Sequence, residues 1–362
     1  MKYDILATSF GRVILVGNEN GISQLLVDNN SKDISLSDEW KKDQTLFKDA
    51  KQQLLEYFEG KRTYFDLKLN PSGTDFQKKV WSELRKIPYG GLCTYKDIAT
   101  AVGNPKASRA VGMANNKNPI PIIVPCHRVI GANRKLVGYA YGLELKQKLL
   151  QMECINKSFE LLQKHYGELD WWPAESDFEM MVGAILTQNT NWKNVEKALA
   201  NFNGKLSPAF VQNSSNDDLA EIIRPSGYHN QKAIKLKALC KWFKQYDFDI
   251  AKVKAMPGEQ LREELLAIKG VGGETADSIL VYALEKAFFV IDAYTRRIFH
   301  RIGITIPDKY DDFRLLMEDA VPKSVATYNL YHALIVEHAK AYCQKKPLCN
   351  SCPLQEICNQ RI

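Results

Sequence analysis

The chain has 362 residues, 45% of them hydrophobic and 25% charged, a balance that excludes disordered and fibrous classes and leaves room for roughly two or three packed domains. No run of about 18 apolar residues occurs, and Met1-Lys2-Tyr3-Asp4 lacks the basic-then-apolar profile of a signal peptide, so the expectation is no membrane segment and a cytoplasmic location, or a nuclear one in a eukaryote. The net charge of +7 permits an anionic partner such as DNA without requiring one.

Residues 1–30 alternate apolar and polar groups (Val13-Ile14-Leu15-Val16, then Ile22-Ser23-Gln24-Leu25-Leu26-Val27) around Gly17 to Gly21, which predicts a β-hairpin or meander at the start of a small α/β domain. After Asn70-Pro71-Ser72-Gly73 the pattern turns helical: Thr74 reads as an N-cap, and Phe76, Val80, Trp81 and Leu84 fall at helical spacing before Pro88 and Gly90. A short helix over 95–101, a turn at Val102-Gly103-Asn104-Pro105 and a helix from Ala107 to about Asn116 make a candidate helix-turn-helix, a pattern that plain packing units share. A helix over 143–154 closes this half, a polar joint follows at Asn156-Lys157-Ser158, and another helix covers 159–166. Beyond residue 158, apolar residues recur at three and four over 178–202, 217–223, 231–246, 259–268, 275–285 and 293–302, so the second half is expected to be all α.

The first chemical signal is Pro125-Cys126-His127-Arg128-Val129, a thiol beside an imidazole after a proline-framed apolar run. Cysteine acts as a nucleophile only as thiolate, and a neighbouring histidine is the usual means of removing its proton, although a bare Cys-His pair is also a common structural feature. Together with upstream Asn118-Pro119 and downstream Gly138-Tyr139, the segment resembles the signature of the O6-alkylguanine-DNA alkyltransferases, over about residues 1–154. The resemblance implies a ribonuclease H-like α/β domain over 1–70 and a helix-turn-helix catalytic domain over 71–155. It also implies irreversible alkyl transfer to Cys126, with His127 acting through a water as base, Glu153 orienting the histidine and Asn118 fixing the turn within the same network. Tyr95 then matches the residue that rotates the phosphate and Arg109 the one that fills the vacated stack, since O6 of a paired guanine cannot meet a protein sulfur in line. Tyr139 and Tyr141 fall beside the alkyl pocket; Tyr141 stands where many relatives have glycine, which bears on bulky adducts. No zinc is expected in this half, which has no histidine before His127, and an intact Cys126 argues against the lesion-binding relatives that lack the cysteine.

The second signal is Gly270-Val271-Gly272 between two helical stretches, followed by Val290-Ile291-Asp292-Ala293-Tyr294. Glycines let backbone amides approach a phosphate, and the next helix start adds favourable partial charge. Asp292 reads from spacing alone as either a reactive carboxylate or a buried helix cap. Together these pieces resemble the helix-hairpin-helix, Gly-Pro-Asp superfamily of DNA glycosylases, over about 159–362. That resemblance gives Asp292 the role of stabilising an oxocarbenium-like sugar and directing water, the charge logic of glycoside hydrolysis.

Four of the eight cysteines, Cys343, Cys349, Cys352 and Cys358, crowd the C-terminal end at gaps of five, two and five. Such a cluster reads as a metal or cluster site before it reads as disulfides, with four-cysteine zinc as the alternative. The resemblance to the endonuclease III branch implies a [4Fe-4S] cluster in a loop over 343–358, with a first gap one residue shorter than in endonuclease III itself. The lysine with which endonuclease III forms a Schiff base is matched here by Glu274. Trp171-Trp172-Pro173 and Leu186-Thr187-Gln188-Asn189-Thr190-Asn191-Trp192 are similar to pocket segments of the 3-methyladenine glycosylases, with Trp171, Trp172 and Trp192 as stacking rings and Gln188 as the wedge into the flipped-out gap. The expectation is therefore a double repair enzyme, probing double-stranded DNA with alkylated bases as a monomer: it reverses O6-alkylguanine and hydrolyses alkylated purines from the sugar. The alternatives are an endonuclease III-like lyase for oxidised pyrimidines in the second half, and a lesion-binding scaffold with one inactive half.

Overall fold

The computed structural model describes residues 1–29, 34, 36–169, 171 and 174–359. It divides into two compact units, Met1–Leu161 with Asp319–Pro322, and Leu162–Glu318 with Lys323–Ile362.

The first unit opens with strands β1 (Lys2–Thr8), β2 (Gly11–Asn18) and β3 (Gly21–Asp28), an antiparallel meander to which β4 (Lys41–Lys42) adds in parallel beside β1. The hydrophobic run of β2 makes it the buried central strand, with Val13, Leu15 and Val16 inaccessible to solvent. Helix α1 (Lys48–Phe58) buries Leu54 and Tyr57 and holds Asp4 of β1 through Lys51 at 2.7 Å. Helix α2 (Asp75–Leu84) starts at Thr74 with a full capping box to Gln77. Strand β5 (Cys93–Thr94) leads into α3 (Tyr95–Ala101), capped by Thr94 and Asp97, and then α4 (Ser108–Asn116), against which Trp81 Nε1 donates to the Ala114 carbonyl at 2.9 Å. Strand β6 (Val129–Ile130) pairs in parallel with β5.

Helix α5 (Leu143–Tyr166) is continuous over 24 residues and corrects the joint expected at Asn156-Lys157-Ser158. That tripeptide has neither glycine nor proline, Asn156 and Ser158 are buried, Ser158 Oγ donates back to the Cys154 carbonyl at 2.7 Å within the helix, and Asn156 Nδ2 donates outside it to the Gly60 carbonyl at 2.8 Å, so these polar groups are satisfied without breaking the helix.

The described part of the second unit contains helices and turns and no strand. The expected 178–202 segment is two helices, α6 (Asp177–Leu186) and α7 (Trp192–Ala200), because Asn189 takes a left-handed conformation between them. There follow α8 (Pro208–Asn213), α9 (Asn216–Ile222), α10 (His229–Phe243), α11 (Ile250–Ala255), α12 (Gly258–Ala267), α13 (Gly273–Tyr282), α14 (Ala293–Ile302), α15 (Tyr310–Glu318) and α16 (Val325–Ala341). The apolar faces of α6, α10, α12 and α13 share one core, including Met181, Ile185, Leu236, Leu265 and Ile279. Between α12 and α13 the chain turns at Gly270, φ +89°, where a β-carbon would lie 2.4 Å from Lys235 Cε, and a β-carbon on Gly273 would lie 2.6 Å from the Tyr310 ring. Among the described residues no helix is long and apolar enough to cross a membrane.

Candidate active sites

In the first unit the small sheet clamps the reactive segment: Leu25 N of β3 donates to the Pro119 carbonyl at 2.8 Å, and Tyr141 Oη to the Leu25 carbonyl at 3.3 Å. Asn118 then closes the turn, its Oδ1 accepting from Ile120 N at 3.0 Å and its Nδ2 donating to the Val124 carbonyl at 2.8 Å and to Cys126 Sγ at 3.1 Å. Cys126, His127 and Arg128 form a single buried 3₁₀ turn. His127 Nε2 lies 2.9 Å from Glu153 Oε1, which leaves Nδ1 buried with no partner among the described residues. Glu153, fully buried on α5, also receives Arg128 at 2.8 and 2.9 Å, the Tyr57 hydroxyl at 2.6 Å and Gly90 N at 3.2 Å.

Burial pushes the Cys126 thiol up to about 11, against the opposing pull of the Asn118 hydrogen bond and the Lys146 charge. Burial likewise lowers His127, although Glu153 pulls the other way. For Glu153 burial acts upward, but His127 and Arg128 outweigh it and hold the carboxyl below its ordinary range. The resting site is thus a neutral thiol and a neutral imidazole backed by an ionised carboxylate, an arrangement that can pass a proton from sulfur to the histidine only as the sulfur is consumed. Lys146, also fully buried, donates to the carbonyls of Val129 at 2.6 Å and Val137 at 2.9 Å, and burial brings it down to about 8. Tyr139 lies 6.0 Å from Tyr141, ring to ring, with its hydroxyl buried and without a partner among the described residues. Tyr95, partly buried at the start of α3, is raised by burial and by nearby Cys126, whereas Arg109 on α4 is exposed to solvent.

Replacing Glu153 by glutamine is expected to destabilise this unit by about 3–5 kcal/mol, since it leaves the buried Arg128 uncompensated. Because the Glu153 carboxyl sits below its ordinary value of 4.5, its contribution is complete above that pH and fades as the pH falls further, so the melting difference between wild type and variant should shrink in acid.

The second unit has a cleft of about 710 Å³ whose walls include Trp171, Trp192, Glu274, Asp292 and His332. Asp292 is the N-cap of α14 and accepts from Thr295 N at 2.7 Å and Thr295 Oγ1 at 2.8 Å. Burial acts upward on it, but His332 and Thr295 prevail and keep it ionised below the usual range. Glu274 reaches into the same cleft from the first turn of α13, open to water at its edge yet raised by the crowding walls and by Asp292. Trp171 Nε1 donates to Glu337 Oε1 at 3.4 Å. Trp172 lies outside the described residues. Gln188 is held inward, its Nε2 donating to the Gly270 carbonyl at 3.1 Å and Thr275 Oγ1 at 2.9 Å, so it stands against the Gly270-Val271-Gly272 hairpin, while neighbouring Asn189 is exposed.

Cys343, Cys349, Cys352 and Cys358 line one cavity with Arg301 and His338, and none of them is in a disulfide. Burial pushes the Cys352 thiol up to about 11, with the other three thiols adding to the rise. Arg301 Nη1 donates to Cys343 Sγ at 3.4 Å, and Cys358 Sγ to the Arg301 carbonyl at 3.4 Å. Among the described residues no three His, Cys, Asp or Glu side chains are gathered tightly enough to grip a lone metal ion.

The family models of 6-O-methylguanine DNA methyltransferase match this chain twice, the ribonuclease-like domain over residues 1–71 and the DNA binding domain over 75–155, and the model of the HhH-GPD superfamily of base excision DNA repair proteins matches 182–323. The methylated-DNA–protein-cysteine methyltransferase of Methanosarcina barkeri is 52% identical over 153 residues, 42% of this chain and 97% of that protein. A Methanocaldococcus jannaschii protein named as a DNA repair glycosylase is 46% identical over 213 residues, 58% of this chain and 97% of that protein. The chain belongs to both the 6-O-methylguanine DNA methyltransferase family and the HhH-GPD superfamily. It is a bifunctional DNA repair protein with an alkyltransferase unit and a base-excision glycosylase unit. In fold, the HhH-GPD unit is also similar to endonuclease III in a non-covalent DNA complex, with TM-score 0.51, 20% identity, and 58% of this chain and 95% of that chain covered.

The methyltransferase unit gathers Asn118, Cys126, His127 and Glu153 into one network, with Tyr95 near the thiol and Arg109 exposed to solvent. Sequence reasoning overlooked Arg128, Tyr57 and Lys146; the signal for Lys146 and Glu153 is that they share the buried stripe of α5 with Leu149, at spacings of three and four. In the HhH-GPD unit it overlooked His332, Tyr282 and Glu337, since a histidine among apolar helical residues reads as ordinary core.

Proposed function

We propose that the methyltransferase unit transfers the alkyl group of O6-alkylguanine in duplex DNA irreversibly to Cys126. The hydrogen bond from Asn118 to a buried sulfur, beside a histidine whose far nitrogen is fixed by Glu153, is the observation that carries this reading. As sulfur bonds to the alkyl carbon, the carbon–O6 bond breaks with its electron pair on the guanine. The thiol proton passes through water to His127, whose unpartnered Nδ1 can receive it. Tyr95 and Arg109 act on the extruded nucleotide and on the gap it leaves.

The HhH-GPD unit hydrolyses the N-glycosidic bond of N-alkylated purines such as 3-methyladenine. Supporting this are the two tryptophan rings along one cleft, where the carboxylates of Glu196, Glu274, Asp292 and Glu337 outnumber the ammonium groups of Lys193 and Lys340, the latter paired with Glu337 at 2.8 Å; each ring contributes about 0.5–2 kcal/mol to a cationic base by cation–π attraction. Asp292 faces the sugar as positive charge develops, and the charged base leaves without a strong acid to protonate it. Gln188 and the glycine hairpin hold the DNA around the flipped nucleotide. The four cysteines fit a [4Fe-4S] group, because all four thiols line one cavity. Such a group would serve as a cross-link ordering the loop that carries Lys345 and Lys346.

The carboxylate of Glu274 cannot form the Schiff base that β-elimination requires. Purified protein incubated with duplexes bearing O6-methylguanine, 3-methyladenine or an oxidised pyrimidine should demethylate the first, release the base from the second, and leave abasic sites that break only after alkali. Borohydride should trap no protein–DNA adduct above background. Efficient trapping, or preference for the oxidised pyrimidine, overturns the substrate reading.

A further inference from the structure

The two oxygens of Asp292 have different surroundings. Oδ1 is occupied by the amide and hydroxyl of Thr295, at 2.7 and 2.8 Å, which leaves Oδ2 to face a substrate. His332 Nε2 stands 3.6 Å from Oδ2, and this nitrogen is buried with no hydrogen-bond partner among the described residues. That separation is too long for a hydrogen bond and short enough for an electrostatic pull. The imidazole comes from α16, is almost fully buried, and meets the Trp171 ring edge-on at 5.4 Å. Its other nitrogen, Nδ1, lies 2.6 Å from the hydroxyl of Tyr282 on α13. Burial keeps Tyr282 a neutral phenol. A phenol that donates to Nδ1 leaves Nε2 as the ring's own donor, directed at Asp292.

We infer that His332, with its tautomer set by Tyr282, is a positioning residue for base excision: it aims the free oxygen of Asp292 into the cleft without using up the carboxylate's charge. A full hydrogen bond at Oδ2 would hold the oxygen more firmly but would blunt the charge offered to the sugar cation. The open distance steers it and leaves it available. The inference rests on the reading of Asp292 as the excision carboxylate, and it adds two residues outside the recognised motif, drawn from the helices that flank the cleft.

The test measures single-turnover excision and DNA affinity on duplex DNA methylated at purine nitrogens, using the intact chain. His332→Leu keeps the packing volume and removes the donor; it should slow excision by about 10–100-fold while DNA affinity changes less than about twofold. His332→Gln, which can present an amide N–H toward Oδ2, should recover most of the rate. Tyr282→Phe should give a smaller loss, about 3–10-fold, because the tautomer is no longer selected. A fully active His332→Leu, or a glutamine variant no better than leucine, overturns the positioning role. The Asp292 reading is judged separately, by Asp292→Asn on the same DNA: if that variant excises normally, the reading fails and the inference falls with it, whereas its loss beside an active His332→Leu defeats the inference alone.

Discussion

Cys126→Ala should abolish alkyl transfer from O6-methylguanine DNA completely and leave base excision at the wild-type rate. No other sulfur can substitute: the acceptor must lie where Asn118 directs a hydrogen bond and where the His127–Glu153 pair can take up its proton, and that position holds Cys126 Sγ. Because burial holds the thiol near 11, it is almost wholly protonated at neutral pH, so it should also react slowly with general thiol reagents and quickly with the lesion. In wild type, transfer should saturate at one alkyl group per chain, with mass spectrometry placing it on Cys126. Turnover past that point, or stoichiometric transfer by the alanine variant, would rule out the assignment.

The second large effect concerns Asp292→Asn. An asparagine oxygen caps a helix as well as an aspartate does, so the bond from Thr295 N survives and the fold and DNA affinity should be retained. On the proposed role of Asp292, the negative charge set against the developing sugar cation is lost, and removing one such preorganised group typically costs about 10²–10³ in rate. Single-turnover base release, read beside a melting curve and a DNA-binding isotherm, separates these contributions. Normal excision by a well-folded Asp292→Asn variant would make the carboxylate a cap and nothing more.

How far the sequence speaks depends on how local each feature is. The helix-turn-helix was legible because Thr94 with Asp97 and the Gly103 turn signal their structure within a few residues. The Cys-His pair was legible through its motif, and Asp292 presented two readings, cap and reactive carboxylate, of which the structure shows the cap. What escaped depends on long-range contact. Asn156 and Ser158 look like linker residues until their burial is known, and the break between α6 and α7 is hidden by apolar periodicity that runs through the left-handed Asn189. His332 sits forty residues beyond Asp292 in the chain, so only the packing of α16 against α13 and α14 brings imidazole and carboxylate together.

The unbroken course of α5 determines how the protein can be taken apart. The methyltransferase match ends at residue 155, yet Ser158 and Leu162, further along the same helix, are inaccessible to solvent. A truncation at 155 discards those buried side chains, and one at 166 separates Leu162, which is counted with the second unit, from the rest of that unit. Expressing halves separately would therefore confound lost activity with a damaged helix end. Assigning each chemistry to its unit is better done by single-residue silencing in the full-length chain, with the companion activity in the same tube as the control for folding.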